Sequence, residues 1–114
     1  MDKIKQDWTY NQFLAFLLLY CARADYSITD AEKKFIRSKT DNIDLKVIRD
    51  EFDKLPEYEI IQIILYFKEK YYNTPELRNK MYDDIKELFL ADGNYTFNEE
   101  NLFNAMKGLL DSIK

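Results

Sequence analysis

The stretch Ala24-Asp25-Tyr26-Ser27-Ile28-Thr29-Asp30-Ala31-Glu32 returns near the far end of the chain as Ala91-Asp92-Gly93-Asn94-Tyr95-Thr96-Phe97-Asn98-Glu99. The offset is constant. Ala-Asp, an apolar residue three positions after the Asp, a Thr directly after it and a Glu three further on all coincide. Each copy follows an apolar segment, ending at Cys21-Ala22 or Leu88-Phe89, and precedes an apolar pair, Phe35-Ile36 or Leu102-Phe103. This is the pattern of one helix–turn–helix unit used twice, with acidic residues at matched places in the turns.

Working outward, the remaining segments predict helices as well. Thr9 is a candidate N-cap for a first helix to about residue 24, apolar around its circumference and so expected at the centre. Thr29 with Glu32 forms a capping box for the second helix, whose residues Ala31, Phe35 and Ile36 face inward. Its wet side carries Lys33, Lys34, Arg37 and Lys39. Asn42 or Asp44 caps the third helix, where Leu45, Ile48, Phe52 and Leu55 recur at helical spacing. Pro56 suits the first turn of the fourth, and Ile60, Ile61, Ile63, Ile64, Leu65 and Phe67 make that helix the second fully apolar one, running to about residue 72. Thr74-Pro75-Glu76 starts a fifth helix, lined by Leu77, Met81, Ile85, Leu88 and Phe89 and closed by Asp92-Gly93. Thr96 and Glu99 open the sixth, with Leu102, Phe103, Met106, Leu109 and Leu110 facing inward. The expectation is an all-α fold, a single compact six-helix domain over residues 1–114. Repeat units at about 9–40 and 74–113 are joined by helices at about 44–72. Two Gly and two Pro in 114 residues argue against an all-β fold.

Composition narrows the function. A net charge of −4, from 17 basic and 21 acidic residues with no linear Lys/Arg block, gives no sign of a nucleic-acid partner or of an anionic lipid surface. The apolar run Phe13–Ala22 is far shorter than the ~20 residues of a membrane span, so no membrane insertion is expected. Cys21 stands alone and cannot form an internal disulfide, and the N-terminal residues lack a signal-peptide pattern; a cytoplasmic location is expected. The chain has no His, too few Gly for a phosphate-cradling loop and no Gly-x-Ser-x-Gly. Asp83-Asp84 is adjacent on a helix and reads as a solvated face. A non-catalytic protein is expected.

The repeated turns admit two chemistries. Asp25 and Asp92 can accept backbone N–H groups, while Thr29, Glu32, Thr96 and Glu99 cap the following helices. Alternatively Asp25, Glu32, Asp92 and Glu99 are hard-oxygen ligands for Ca²⁺ or another divalent cation. Neither turn alone meets the EF-hand pattern: counted from Asp25, positions 3, 5 and 12 are Ser27, Thr29 and Ile36, and from Asp92 they are Asn94, Thr96 and Phe103. Such a site requires the two turns to meet. Tyr58, Tyr66, Tyr71, Tyr72 and Tyr82 surround the fourth and fifth helices and suggest a protein interface, with Ile61 and Leu65 offering a homodimer edge. The chain is expected to be a monomer or a homodimer.

The motif Ala-Asp-Gly-x-apolar-Ser/Thr-x-x-Glu between two helices, used twice, resembles the tellurite-resistance B (TerB-like) family. The resemblance covers roughly residues 12–40 and 80–110; the first copy carries Tyr26 where the family usually has Gly. It implies an all-helical, acidic, cytosolic, non-catalytic domain linked to tellurite or general chemical stress, with the family's acidic turn positions falling at Asp25, Glu32, Asp92 and Glu99.

Overall fold

Thr9 opens the first described helix with a reciprocal cap. In the computed structural model, which describes residues 8–22, 28–41, 45–91 and 97–112, the Gln12 N–H donates to Thr9 Oγ1 at 3.2 Å. The Thr9 N–H donates back to Gln12 Oε1 at 2.9 Å, satisfying two backbone donors at once. The described residues form seven helices and no strand: α1 (Tyr10–Ala22), α2 (Asp30–Lys39), α3 (Leu45–Asp53), α4 (Glu57–Tyr66), α5 (Lys68–Tyr71), α6 (Pro75–Leu90) and α7 (Phe97–Ser112). No helix is long and apolar enough to cross a membrane among them.

The all-α expectation holds, but the count of six does not. The fourth predicted helix is broken at Phe67, whose φ −84° and ψ 3° leave the helical range. The cause is tertiary. Phe67 is fully buried and lies between the rings of Phe13 (5.1 Å), Tyr71 (5.6 Å) and Trp8 (6.1 Å). The break orphans the last carbonyls of α4, as any helix end does. One of them, the Ile64 carbonyl, accepts the buried Tyr72 hydroxyl at 2.6 Å. Burial also raises the Tyr72 pKa, keeping that hydroxyl a neutral donor. Pro56 sits one position earlier than expected, as the N-cap of α4, where its carbonyl accepts the Glu59 and Ile60 N–H groups.

Helix α1 is the hub, packing on α2, α3, α4, α6 and α7. Residues Phe13 to Leu19 are all buried, as a segment apolar on every side requires. Each such Phe or Leu stabilises the fold by roughly 1.5–3 kcal/mol relative to its exposed state. Phe16 meets Trp8 at 5.1 Å and Phe52 of α3 at 5.5 Å, edge on in the second pair as ring quadrupoles favour. Leu45, Ile48 and Phe52 face this core, as their spacing predicted. Cys21 is buried in it, and desolvation drives its thiol pKa far up, as expected of a small hydrophobe.

Helix α6 starts with Thr74 as cap, its Oγ1 accepting the Leu77 N–H at 3.2 Å, and Pro75 at the first position. Met81, Ile85, Leu88 and Phe89 are buried as expected, but Leu77 is exposed, because it lies in the first turn before α6 reaches the core. Asp84 overturns the solvated-face reading: it is buried, while Asp83 is exposed. Lys39 at the end of α2 compensates it, with Nζ 3.3 Å from Asp84 and 2.9 Å from Glu87. Those hydrogen bonds and charges, Glu87 first, raise the Lys39 pKa. Between α6 and α7, Asp111 accepts the Tyr82 hydroxyl at 2.7 Å and lies 3.2 Å from Arg78 Nε.

Candidate functional site

The sequence directed attention to the turn that opens α2, and there the capping chemistry is in place. Thr29 has extended backbone angles, φ −75° and ψ 162°, and its Oγ1 accepts the Glu32 N–H at 3.1 Å. Glu32 Oε1 accepts both the Thr29 N–H, at 2.9 Å, and the Thr29 hydroxyl, at 3.2 Å. Glu32 is almost wholly buried, so its carboxylate is spent on groups that burial would otherwise leave without water. Asp25 and Asp92 lie outside the described residues, as do the side chain of Glu99 and the second cap at Thr96. Among the described residues no three carboxylate or thiol groups gather at metal-binding distance.

The tyrosines divide by depth. Tyr72 and Tyr82 belong to the interior, and Tyr71 is half-buried with its hydroxyl donating to the Trp8 carbonyl. Tyr58 and Tyr66, by contrast, are 65% and 48% exposed. Both stand on the outer face of α4, because Ile60, Ile63 and Ile64 turn the opposite face into the core. Ile61 and Leu65 are half-buried beside Tyr58, at positions i+3 and i+7 from it. The result is a helix face with two aromatic and two aliphatic side chains and Gln62, presented to solvent. A face of this composition can supply large contact area at low side-chain entropy cost.

A second surface was invisible in the linear sequence. Lys33, Lys34 and Arg37 on α2 lie beside Lys46 and Arg49 on α3, lining two adjoining hollows. Each helix alone shows ordinary surface charges, and only their packing makes a cluster. No family model, curated protein or solved structure matches the chain.

Proposed function

We propose that this chain is a non-catalytic, TerB-like interaction module that binds a partner protein, in the service of a tellurite or general chemical-stress response. The observation that carries the binding reading is the outer face of α4, where Tyr58, largely in solvent, and the half-exposed Tyr66 stand with Ile61 and Leu65. Tyr is favoured at interfaces because a rigid ring brings apolar area and a hydrogen-bonding tip. The stress link rests on the resemblance of the repeated acidic turns. In this reading α1–α2 and α6–α7 are copies of one unit, and Glu32 serves its helix cap rather than an ion.

A photo-activated phenylalanine analogue placed at position 58 tests the binding reading in the cells that make the protein. A discrete heterologous adduct is expected at position 58 and not at the exposed control position 107. Absence of a specific adduct overturns the module, and an adduct of the chain with itself replaces it with a homodimeric scaffold. Deletion of the chain is expected to lower tellurite tolerance, restored by the wild type but not by a Tyr58→Ala/Tyr66→Ala variant. Tolerance unchanged by deletion removes the stress link.

A further inference from the structure

The groove between α2 and α3 assembles five cations in a protein whose net charge is −4. Lys33 and Arg37 are one turn apart on α2, and Lys46 and Arg49 nearly one turn apart on α3, so each pair projects from a single helix face. These four and the buried edge of Leu45 line a hollow of about 270 Å³. A second hollow, lined by Asp30, Ala31, Lys33, Lys34 and Arg37, continues it along α2. The local acids neutralise little of this charge. Asp30 lies 3.9 Å from Lys33, and Asp53 lies 3.9 Å from Arg49, both at the outer limit of an ion pair. Among the described residues Lys34, Arg37 and Lys46 have no carboxylate within ion-pair distance.

We propose that this groove docks a short acidic peptide segment of the partner protein. The inference rests on the interaction-module reading and names the chemistry of one contact. Size and lining favour a peptide. The ten residues of α2 are about 15 Å long, which an extended chain covers with about five residues. Successive side chains of an extended chain point to opposite sides, so a run of about five Asp or Glu residues turns carboxylates toward both the α2 and the α3 cations, and guanidinium groups hold carboxylates in a bidentate fork. No aromatic ring lines either hollow, so the groove lacks the stacking platform that single-stranded nucleic acid uses. Its only apolar lining residues are Ala31 and the buried Leu45, which gives a lipid surface nothing to bury. With these five cations set aside, the rest of the chain is net acidic, which disfavours a polyanion much longer than the groove.

The full chain, titrated into a fluorescein-labelled hexaglutamate peptide and followed by fluorescence anisotropy, tests this. Saturable binding is expected, weakened more than about tenfold in an Arg37→Glu/Lys46→Glu variant, a loss of about 1.4 kcal/mol or more. Both positions are exposed, and far-UV circular dichroism checks that the variant remains folded. A Lys80→Glu/Lys86→Glu variant carries the same change in net charge on α6 and is expected to bind like the wild type. Equal loss in both variants reduces the effect to net charge and overturns the site, as does absence of peptide binding. Tighter binding of an oligothymidine strand, or of phosphatidylserine vesicles, at the same groove overturns the peptide assignment. A position 58 cross-link that survives when peptide binding fails leaves the interaction module standing without this groove.

Discussion

Replacing Tyr72 with Phe deletes one oxygen atom and tests what compensates the break at the end of α4. The Tyr72 hydroxyl is fully buried and donates to the Ile64 carbonyl at 2.6 Å, across the break at Phe67. In the variant that carbonyl faces an apolar interior without this donor. A buried acceptor left unpaired costs about 1–3 kcal/mol, and a neutral hydrogen bond to a carbonyl falls in the lower half of that range. Tyr72→Phe is therefore expected to lower stability by about 1–2 kcal/mol, or about 4–8 °C in Tm for a domain of this size. Scanning calorimetry with urea unfolding at neutral pH provides the measurement. Tyr58→Phe is the control, because its ring is largely in solvent and surface changes of this kind stay within about 0.5 kcal/mol. An unchanged Tm in Tyr72→Phe, or an equal fall in the control, would refute the claim that this hydroxyl compensates the carbonyl orphaned at the end of α4.

Three further outcomes follow from the same structure. Thr29→Ala is expected to cost about 1 kcal/mol by chemical denaturation, through loss of the reciprocal cap with Glu32; millimolar Ca²⁺ should leave the wild-type Tm unchanged, and a calcium-dependent rise would restore Asp25, Glu32, Asp92 and Glu99 as ligand candidates. Lys39→Met strands the buried Asp84 carboxylate and should destabilise the protein by about 1–3 kcal/mol, with Lys39→Met/Asp84→Asn recovering part of the loss in a double-mutant cycle. The pKa values of Cys21, Tyr10, Tyr72 and Tyr82 are all raised by burial, from ordinary values of 9.0 for the thiol and 10.0 for the phenols. The unfolded chain therefore gives up protons first, so their contribution is intact below pH 9 and is lost as pH climbs past 10; a denaturation midpoint that stays flat to pH 11 would contradict this.

What could be read from the sequence was what is decided locally. The Thr29–Glu32 box and the Thr74-Pro75 start depend on residues within one turn, and both are present. The inward faces of α1 and α3 followed from periodicity, since an all-apolar segment such as Phe13–Leu19 has only one comfortable place. The break at Phe67 was not legible, because it depends on the Trp8 and Phe13 rings meeting there from a distant part of the chain. Asp84 was misread for a related reason: its partner Lys39 is on another helix, so its pattern looked like that of any surface acid. The basic groove is the same lesson in charge. Lys33 and Arg37 announce a wet face, Lys46 and Arg49 another, and nothing in one dimension says that the two faces adjoin.

That arrangement has a consequence for how an acidic partner is approached. Helix α1 is buried from Phe13 to Leu19 and presents little, and the basic groove and the tyrosine face lie on the amphipathic helices α2, α3 and α4. Concentrating five cations on α2 and α3 leaves the rest of a −4 molecule more acidic still. A partner carrying Asp and Glu is therefore repelled by the whole and attracted by the part. Salt decides which it senses. At about 0.01 M ionic strength the Debye length is about 30 Å, comparable to the whole molecule, whose extents are 35 × 29 × 26 Å. At about 0.15 M it falls to about 8 Å, which isolates the groove from the distant acids, and near 1 M the groove itself is screened. Affinity for an acidic peptide is thus expected to rise from the lowest salt to near-physiological salt and fall beyond it. The anisotropy titration repeated across that range measures this. A monotonic decline from the lowest salt upward would mean that the distant acids exert no hold on the partner, and that the groove acts as an isolated cationic site.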